Sequence, residues 1–205
     1  MSFEPRSEAD LLQLIEEYPL AWVVSVGDPG FGATPLPMLA EPGPDGRIVS
    51  LLGHFALSNP HVALLSAAPQ ATILFMGPQG YISPELVSKP GWAPTWNYAT
   101  AQFDARIELL PQENAQALAK LVYWMERGRQ VPWTIDRMGD RYDLMVKRIV
   151  AFRAHVQRVR GRFKLGQDEL PRTRTEVMHG VGNEDLVRWM ARFNPEPADL
   201  PRKKP

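Results

Sequence analysis

The chain contains no cysteine, which excludes disulfides, thiolate catalysis and cysteine-ligated zinc or iron–sulfur centres. No apolar run approaches the ~20 residues that a bilayer-spanning helix needs. The N-terminus, Met1-Ser2-Phe3-Glu4-Pro5, has neither the basic start nor the apolar stretch of a secretory signal, so a cytoplasmic location is expected. Neither sign of charge is in excess, because 23 Lys and Arg balance 23 Asp and Glu. Duplex binding draws on phosphate neutralisation, so this balance argues against a dedicated DNA-reading domain. The one basic cluster, Arg202-Lys203-Lys204, reads as a solvated terminus. Dinucleotide-binding glycine loops, Walker A loops, nucleophile elbows and His-Glu-x-x-His are all missing. The four histidines, His54, His61, His155 and His179, lack the spacing of a helical metal pair.

What remains is an ordinary globular composition. Apolar residues make up 44% of the 205 positions, enough for one domain with a full core. A helix is expected from Ser7, with Asp10 in a weak capping-box position and Pro19 as its stop. Strands are expected over 21–26, 32–40 and 47–53, with turns at Gly27-Asp28-Pro29-Gly30 and 42–46. Pro35 and Pro37 place the second strand at a rim, because proline removes ladder donors. A short helix runs from Asn59-Pro60 to Ala67. A fourth strand covers 71–76, Gly77-Pro78 turns the chain, and residues 79–83 continue it. Three prolines make 84–94 a long ordered loop, a kind often functional. A fifth strand over 96–109, helices over 112–127 and 136–147, a last strand over 148–158 and a helix over 183–193 complete the pattern, ahead of a proline-rich tail. Mostly antiparallel strands with helices outside predict an α+β small barrel. Residues 1–160 would form the barrel with its inserted helices. Residues 161–205 would be an extension of the same domain, packing on the barrel or on a dimer partner.

No acid–base carboxylate pair stands out. Asp136, Asp140 and Asp143 alternate with Arg137, Arg141 and Lys147 as a solvated helix would. Three segments carry more information. In Gly53-His54-Phe55-Ala56-Leu57-Ser58-Asn59-Pro60 an apolar strand enters a helix. Such a junction can offer free backbone N–H groups to a phosphate, with His54, Ser58 and Asn59 adding donors; equally, Ser58 or Asn59 can simply cap the helix. Gly77-Pro78-Gln79-Gly80-Tyr81-Ile82-Ser83-Pro84 and Pro94-Thr95-Trp96-Asn97-Tyr98 mix aromatics with small polar residues. That mixture suits a planar heteroaromatic ligand, and it also suits an aromatic plug at a barrel rim.

Together and in this order, the segments resemble the PaiB family of FMN-binding regulators. The family pattern runs Gly-His, Asn-Pro, Gly-Pro-x-x-Tyr-x-Ser, Pro-Thr-Trp-Asn-Tyr and a late Lys-x-Ser-Gln-Asn. Here these stand as Gly53-His54, Asn59-Pro60, Gly77 to Ser83, Pro94 to Tyr98 and Lys164-Leu165-Gly166-Gln167-Asp168. Gly166 and Asp168 depart from the pattern, and an acidic Asp168 would repel a phosphate placed beside it.

The resemblance implies an antiparallel split β-barrel of the FMN-binding, pyridoxamine-phosphate-oxidase-like type. It also implies a homodimer with FMN held at the subunit interface. His54, Ser58 and Asn59 would lie at the phosphate and ribityl chain. Thr95, Trp96 and Asn97 would lie near the isoalloxazine, with Lys164 and Gln167 completing the cleft. It implies a negative transcriptional regulator, although no helix–turn–helix or basic recognition helix is legible. A small flavin-dependent oxidoreductase without direct DNA binding is the alternative, and tetrapyrrole binding, found in related split barrels, is a weaker third.

Overall fold

In a computed structural model that describes residues 3–27 and 30–195, Ser7 is extended at the start of helix α1 (Glu8–Glu17). Its hydroxyl makes no cap bond. Asp10 closes the helix start instead, accepting from the Arg6 backbone N–H at 2.9 Å and from its guanidinium at 3.1 Å. Leu11, Leu14 and Ile15 form the buried stripe, as their spacing requires.

The strands are β1 (Leu20–Gly27), β2 (Gly30–Pro37), β3 (Leu39–Pro42), β4 (Ile48–Ala56), β5 (Gln70–Ile82), β6 (Thr95–Leu109) and β7 (Ile149–Lys164). They form one open sheet in the order β2-β1-β5-β6-β7-β4-β3. The β1–β2, β1–β5, β3–β4 and β4–β7 pairs are antiparallel. β2, with Pro35 and Pro37, lies at one end of the order as expected. The remaining helices are α2 (His61–Ala67), α3 (Asn114–Glu126), α4 (Arg141–Val146), α5 (Pro171–Gly180) and α6 (Glu184–Phe193).

Several expectations need correction. Gly77-Pro78 does not turn the chain; both residues are buried inside the continuous strand β5. The expected strand over 32–40 is two strands, broken at Met38. β7 runs six residues beyond the expected 158, because Arg158, Arg160 and Arg162 alternate with Val159, Gly161 and Phe163. Helix α5 was not expected at all. The expected turn through Asp28 and Pro29, the basic cluster at 202–204 and the proline-rich tail lie outside the described residues.

The described residues fall into a larger unit (Pro5–Met76 and Thr100–Gly161) and a smaller one (3–4, Gly77–Ala99 and 162–195). In the larger unit, one face of the sheet buries Phe55 against Phe152 at 4.8 Å and Phe75 edge-on to Phe103. The opposite face supports Leu39, Leu52 and Ala151, over which α3 lays Ala117 and Leu121. In the smaller unit, α6 directs Leu186, Trp189, Met190 and Phe193 inward. Trp189 and Phe193 lie parallel, 6.0 Å apart, and Phe163 of β7 meets both edge-on.

Trp189 is fully buried at the centre of the smaller unit's aromatic cluster. Trp189→Ala is therefore expected to cost about 3–5 kcal/mol, measured by urea denaturation. A loss under about 1 kcal/mol would show that this cluster does not hold the unit together.

Candidate functional site

The strand-to-helix junction of the larger unit differs from the phosphate cradle that its sequence suggests. Asn59 Oδ1 accepts from the His61 backbone N–H at 2.9 Å. The next two N–H groups, of Val62 and Ala63, are bonded to the carbonyls of Asn59 and Pro60. The N–H groups expected to be free are thus occupied. The other end of the Asn59 amide donates to Thr34 Oγ1 at 3.2 Å. Asn59 is a helix-start clasp, its carbonyl on the His61 N–H and its amide on Thr34. Ser58 is exposed, and His54 is half-buried on β4 across from Ala151.

His61, one of the four scattered histidines, organises this junction. Its ring is 2% exposed and stands edge-on to Phe55 at 5.3 Å. Ser25 Oγ of β1 lies 2.7 Å from Nε2, and Thr34 Oγ1 of β2 lies 3.0 Å from Nδ1. A neutral imidazole satisfies this arrangement, with one nitrogen donating and the other accepting. Gly32 makes room for it: a Cβ there would lie 2.5 Å from the His61 ring. A signal was present in sequence, since Gly32, Thr34 and Ser25 flank one hairpin, but the pairing register that brings them to His61 was not.

The smaller unit holds the other expected residues. Thr95, Trp96 and Asn97 open β6, and Lys164 ends β7. The Lys164 ammonium donates to Thr95 Oγ1 and, at 3.1 Å, to the Trp96 carbonyl. Trp96 is 51% exposed, and its ring pairs with Tyr81 of β5 at 6.0 Å. Asn97 points the other way. It is buried beside Met190, its amide 3.5 Å from the sulfur, so it does not present itself to a ring on the surface. Gln167 is also committed, accepting from the Leu165 N–H and donating to the Phe163 carbonyl. It closes the turn after β7. The cleft lined by Trp92, Thr95, Lys164, Asp168 and Arg174 has a volume near 10 Å³, room for about one water. A flavin ring does not fit inside that cleft.

The donor chemistry of the smaller unit fits FMN. Trp96 and Tyr81 offer an exposed aromatic face, and Lys164 offers a cation hydrogen-bonded to the backbone of that face. Arg162 adds a second cation, donating to the Tyr98 hydroxyl at 3.0 Å.

In the larger unit Asp104 is held firmly ionised. Hydrogen bonds from Gln102, Arg158 and Thr72 outweigh its partial desolvation and hold its carboxyl down to about 2. Burial pushes His54 and His61 below the usual imidazole value.

The model of the family described as "Putative FMN-binding domain" matches residues 1–158. The chain is 25% identical over 185 residues, 89% of its own length and 88% of the relative's, to the Bacillus subtilis "Protease synthase and sporulation protein PAI 2". Among solved structures, the FAD and heme binding protein of Mycobacterium smegmatis superposes with a TM-score of 0.58 at 16% identity, covering 80% of this chain and 74% of that one. The flavocytochrome Anf3 of Azotobacter vinelandii gives 0.56 at 12% identity, covering 78% and 69%. These two likenesses establish the shared fold, an open antiparallel split barrel of the α+β class.

The histidines give a pH test. A buried imidazole with a lowered folded value favours the neutral form, so its stabilisation is complete above the unfolded value of ~6.5 and is lost as pH falls through the folded one. The urea midpoint is expected to drop between about pH 7.5 and about pH 5. His61→Gln should lower the midpoint at neutral pH and flatten that profile. An unchanged slope in His61→Gln would remove His61 from the account.

Proposed function

We propose, from the premise that the chain belongs to the FMN-binding, PaiB-type family and takes FMN as its cofactor, that it works as a homodimeric, cytoplasmic flavoprotein regulator. The observation that carries this reading is the exposed Trp96–Tyr81 pair with Lys164 fixed on the Trp96 carbonyl. Aromatic faces suit the isoalloxazine, and the Lys164 and Arg162 cations suit the phosphate. Thr95 hydrogen-bonds Lys164 and so sets where its ammonium stands. Bound FMN supplies redox chemistry; the residues here bind and orient it. Ser58 and His54 of the larger unit keep groups that a phosphate could engage, whereas Asn59, Asn97 and Gln167 act as structural clasps.

The homodimer reading rests on the larger unit's sheet. One face exposes Leu20, Trp22 and Val26 of β1, Phe31 of β2, and Leu74 and Met76 of β5. Trp22 sits across from Leu74, and Val26 across from Phe31, so the side chains form a continuous apolar patch. Patches of this kind mark association surfaces, and obligate dimer interfaces are large and apolar.

Regulation without direct base reading fits the charges better. Helices α5 and α6 are joined by three residues with Gly182 at φ +64°, a helix–turn–helix connection that was not legible in the sequence. Recognition helices contact DNA through their first turns. The first turn of α6 carries Glu184 and Asp185, and Asp185 engages Arg188 at 2.8 Å. Two carboxylates there would repel a phosphate backbone.

Calorimetry with FMN and riboflavin tests the site. Lys164→Gln should weaken FMN roughly tenfold while changing riboflavin little, as loss of one charge-assisted hydrogen bond implies. Trp96→Ala should weaken both flavins, and Asp168→Asn should tighten FMN. Ser58→Ala shows whether the larger unit takes part. Equal FMN and riboflavin affinity in the parent protein would overturn the phosphate assignment. Light scattering should give a dimer mass that Trp22→Asp with Leu74→Asp reduces to a monomer. A parent protein already monomeric at micromolar concentration would end the dimer reading. A nanomolar, salt-tolerant complex with a promoter fragment would end the indirect-regulation reading.

A further inference from the structure

Helices α1 and α3 both lie on the β3–β4 ribbon of the larger unit. A groove of about 460 Å³ opens beside them. Its floor is Leu39 and Leu52, one wall is Leu12 and Ile15 of α1, and the other is Tyr123 and Trp124 of α3. The volume falls within the range of about 300–1,000 Å³ typical of small-molecule sites, and the walls are largely apolar with a few polar groups. Across it, Glu16 of α1 reaches Arg127 at the end of α3 at only 4.0 Å. Arg127 lies 3.5 Å over the Trp124 ring and donates to the Trp124 carbonyl.

The polar groups are unequally committed. Glu41 holds the Ser50 hydroxyl at 2.7 Å and Arg153 at 2.8 Å. Burial raises its proton affinity, but the bonds and charge of Arg153, with help from Ser50 and Lys120, more than offset this and keep it ionised. Lys120 makes one contact, to Glu41 Oε1 at 3.4 Å, and its side chain is 47% exposed. An ammonium has three donors, so Lys120 keeps donors to spare beside the apolar floor. Glu41 loses little if Lys120 turns away, because Arg153 and Ser50 still hold it. An incoming amine would meet Glu16, which the Arg127 guanidinium already faces at 4.0 Å across the groove.

We propose that this groove is a second small-molecule site, built from residues other than the flavin-contacting set. It takes a carboxylic acid with a compact apolar body, the body on Leu39, Leu52 and Trp124, and the carboxylate on Lys120. In a regulator, such a site would admit an effector.

Calorimetry on the full-length, FMN-loaded protein tests it with three probes of one shape: naphthoate, neutral naphthamide and cationic naphthylmethylamine. Naphthoate is expected to bind at least about fivefold more tightly than naphthamide. Lys120→Gln should bring naphthoate down to the naphthamide level and leave naphthamide unchanged. Ala40→Phe, which fills the groove, should abolish binding of both while the visible flavin spectrum and the thermal midpoint stay as in the parent. Binding of naphthylmethylamine as tight as that of naphthoate would overturn the proposal, as would equal affinity for acid and amide. Naphthoate binding that survives Ala40→Phe would place the ligand elsewhere, and absence of binding by all three probes would end the proposal. The naphthoate arm can be read even if the protein proves to hold no FMN, so failure of the flavin reading and failure of this one are distinct.

Discussion

A buried imidazole between two hydroxyls holds the β1–β2 hairpin to the start of α2. His61 can occupy that place only because Gly32 lacks a side chain, and only in a register that sets Gly32 opposite Ser25. The consequence reaches the hairpin's other face. Alternation along each strand means that, with Ser25 turned inward to His61, Val24 and Val26 turn outward, and Trp22 and Leu20 follow on the same side. One hydrogen-bonded ring thus fixes which residues of β1 form the exposed apolar patch. A slip by one residue would bury that patch and expose the polar partners of His61.

The sequence was most legible where one rule acted alone. Alternation located β6 and most of β7, and the apolar stripe located α1. The prolines of β2 marked it as an edge strand, where missing ladder donors cost nothing. It was least legible where two rules competed. Gly77-Pro78 is a turn signal by local propensity, yet both residues are buried and continue β5, so tertiary pairing overrides the local preference. Helix α5 is polar around most of its surface, burying only Thr173 and Val177. Without an apolar stripe there was no period to read. Its docking depends instead on close approach: a Cβ on Gly180 would lie 2.7 Å from Leu86.

The candidate site shows the same division. The order of the motifs pointed to the family, and the residue types to a mixed aromatic and polar segment. Side-chain direction was hidden. Thr95, Trp96 and Asn97 are consecutive on one strand, so Trp96 must face opposite to its two neighbours. Only one side of that triplet can meet a ring, and burial of Asn97 beside Met190 decides which. Asn59 was ambiguous for a different reason. A capping amide and a ligand-binding amide look identical in sequence, and only the bonds to His61 and Thr34 separate them.

The departure at Gly166 is best understood as a backbone matter. Gly166 sits at φ +85°, and a Cβ there would come within 3.3 Å of the Met190 methyl. That conformation is easy for glycine and strained for serine. The turn is then closed from both sides, since Gln167 spans it with bonds to Leu165 and Phe163, and Asn194 of the segment after α6 donates to the Leu165 carbonyl at 2.9 Å. A residue enclosed in this way shapes the turn that follows Lys164, and so acts on the ammonium's position through the chain. Asp168 is different, because it is exposed and carries charge. Of the two departures, therefore, only the one at 168 changes the field that a phosphate would meet, while the one at 166 fixes the backbone from which Lys164 reaches Thr95 and Trp96.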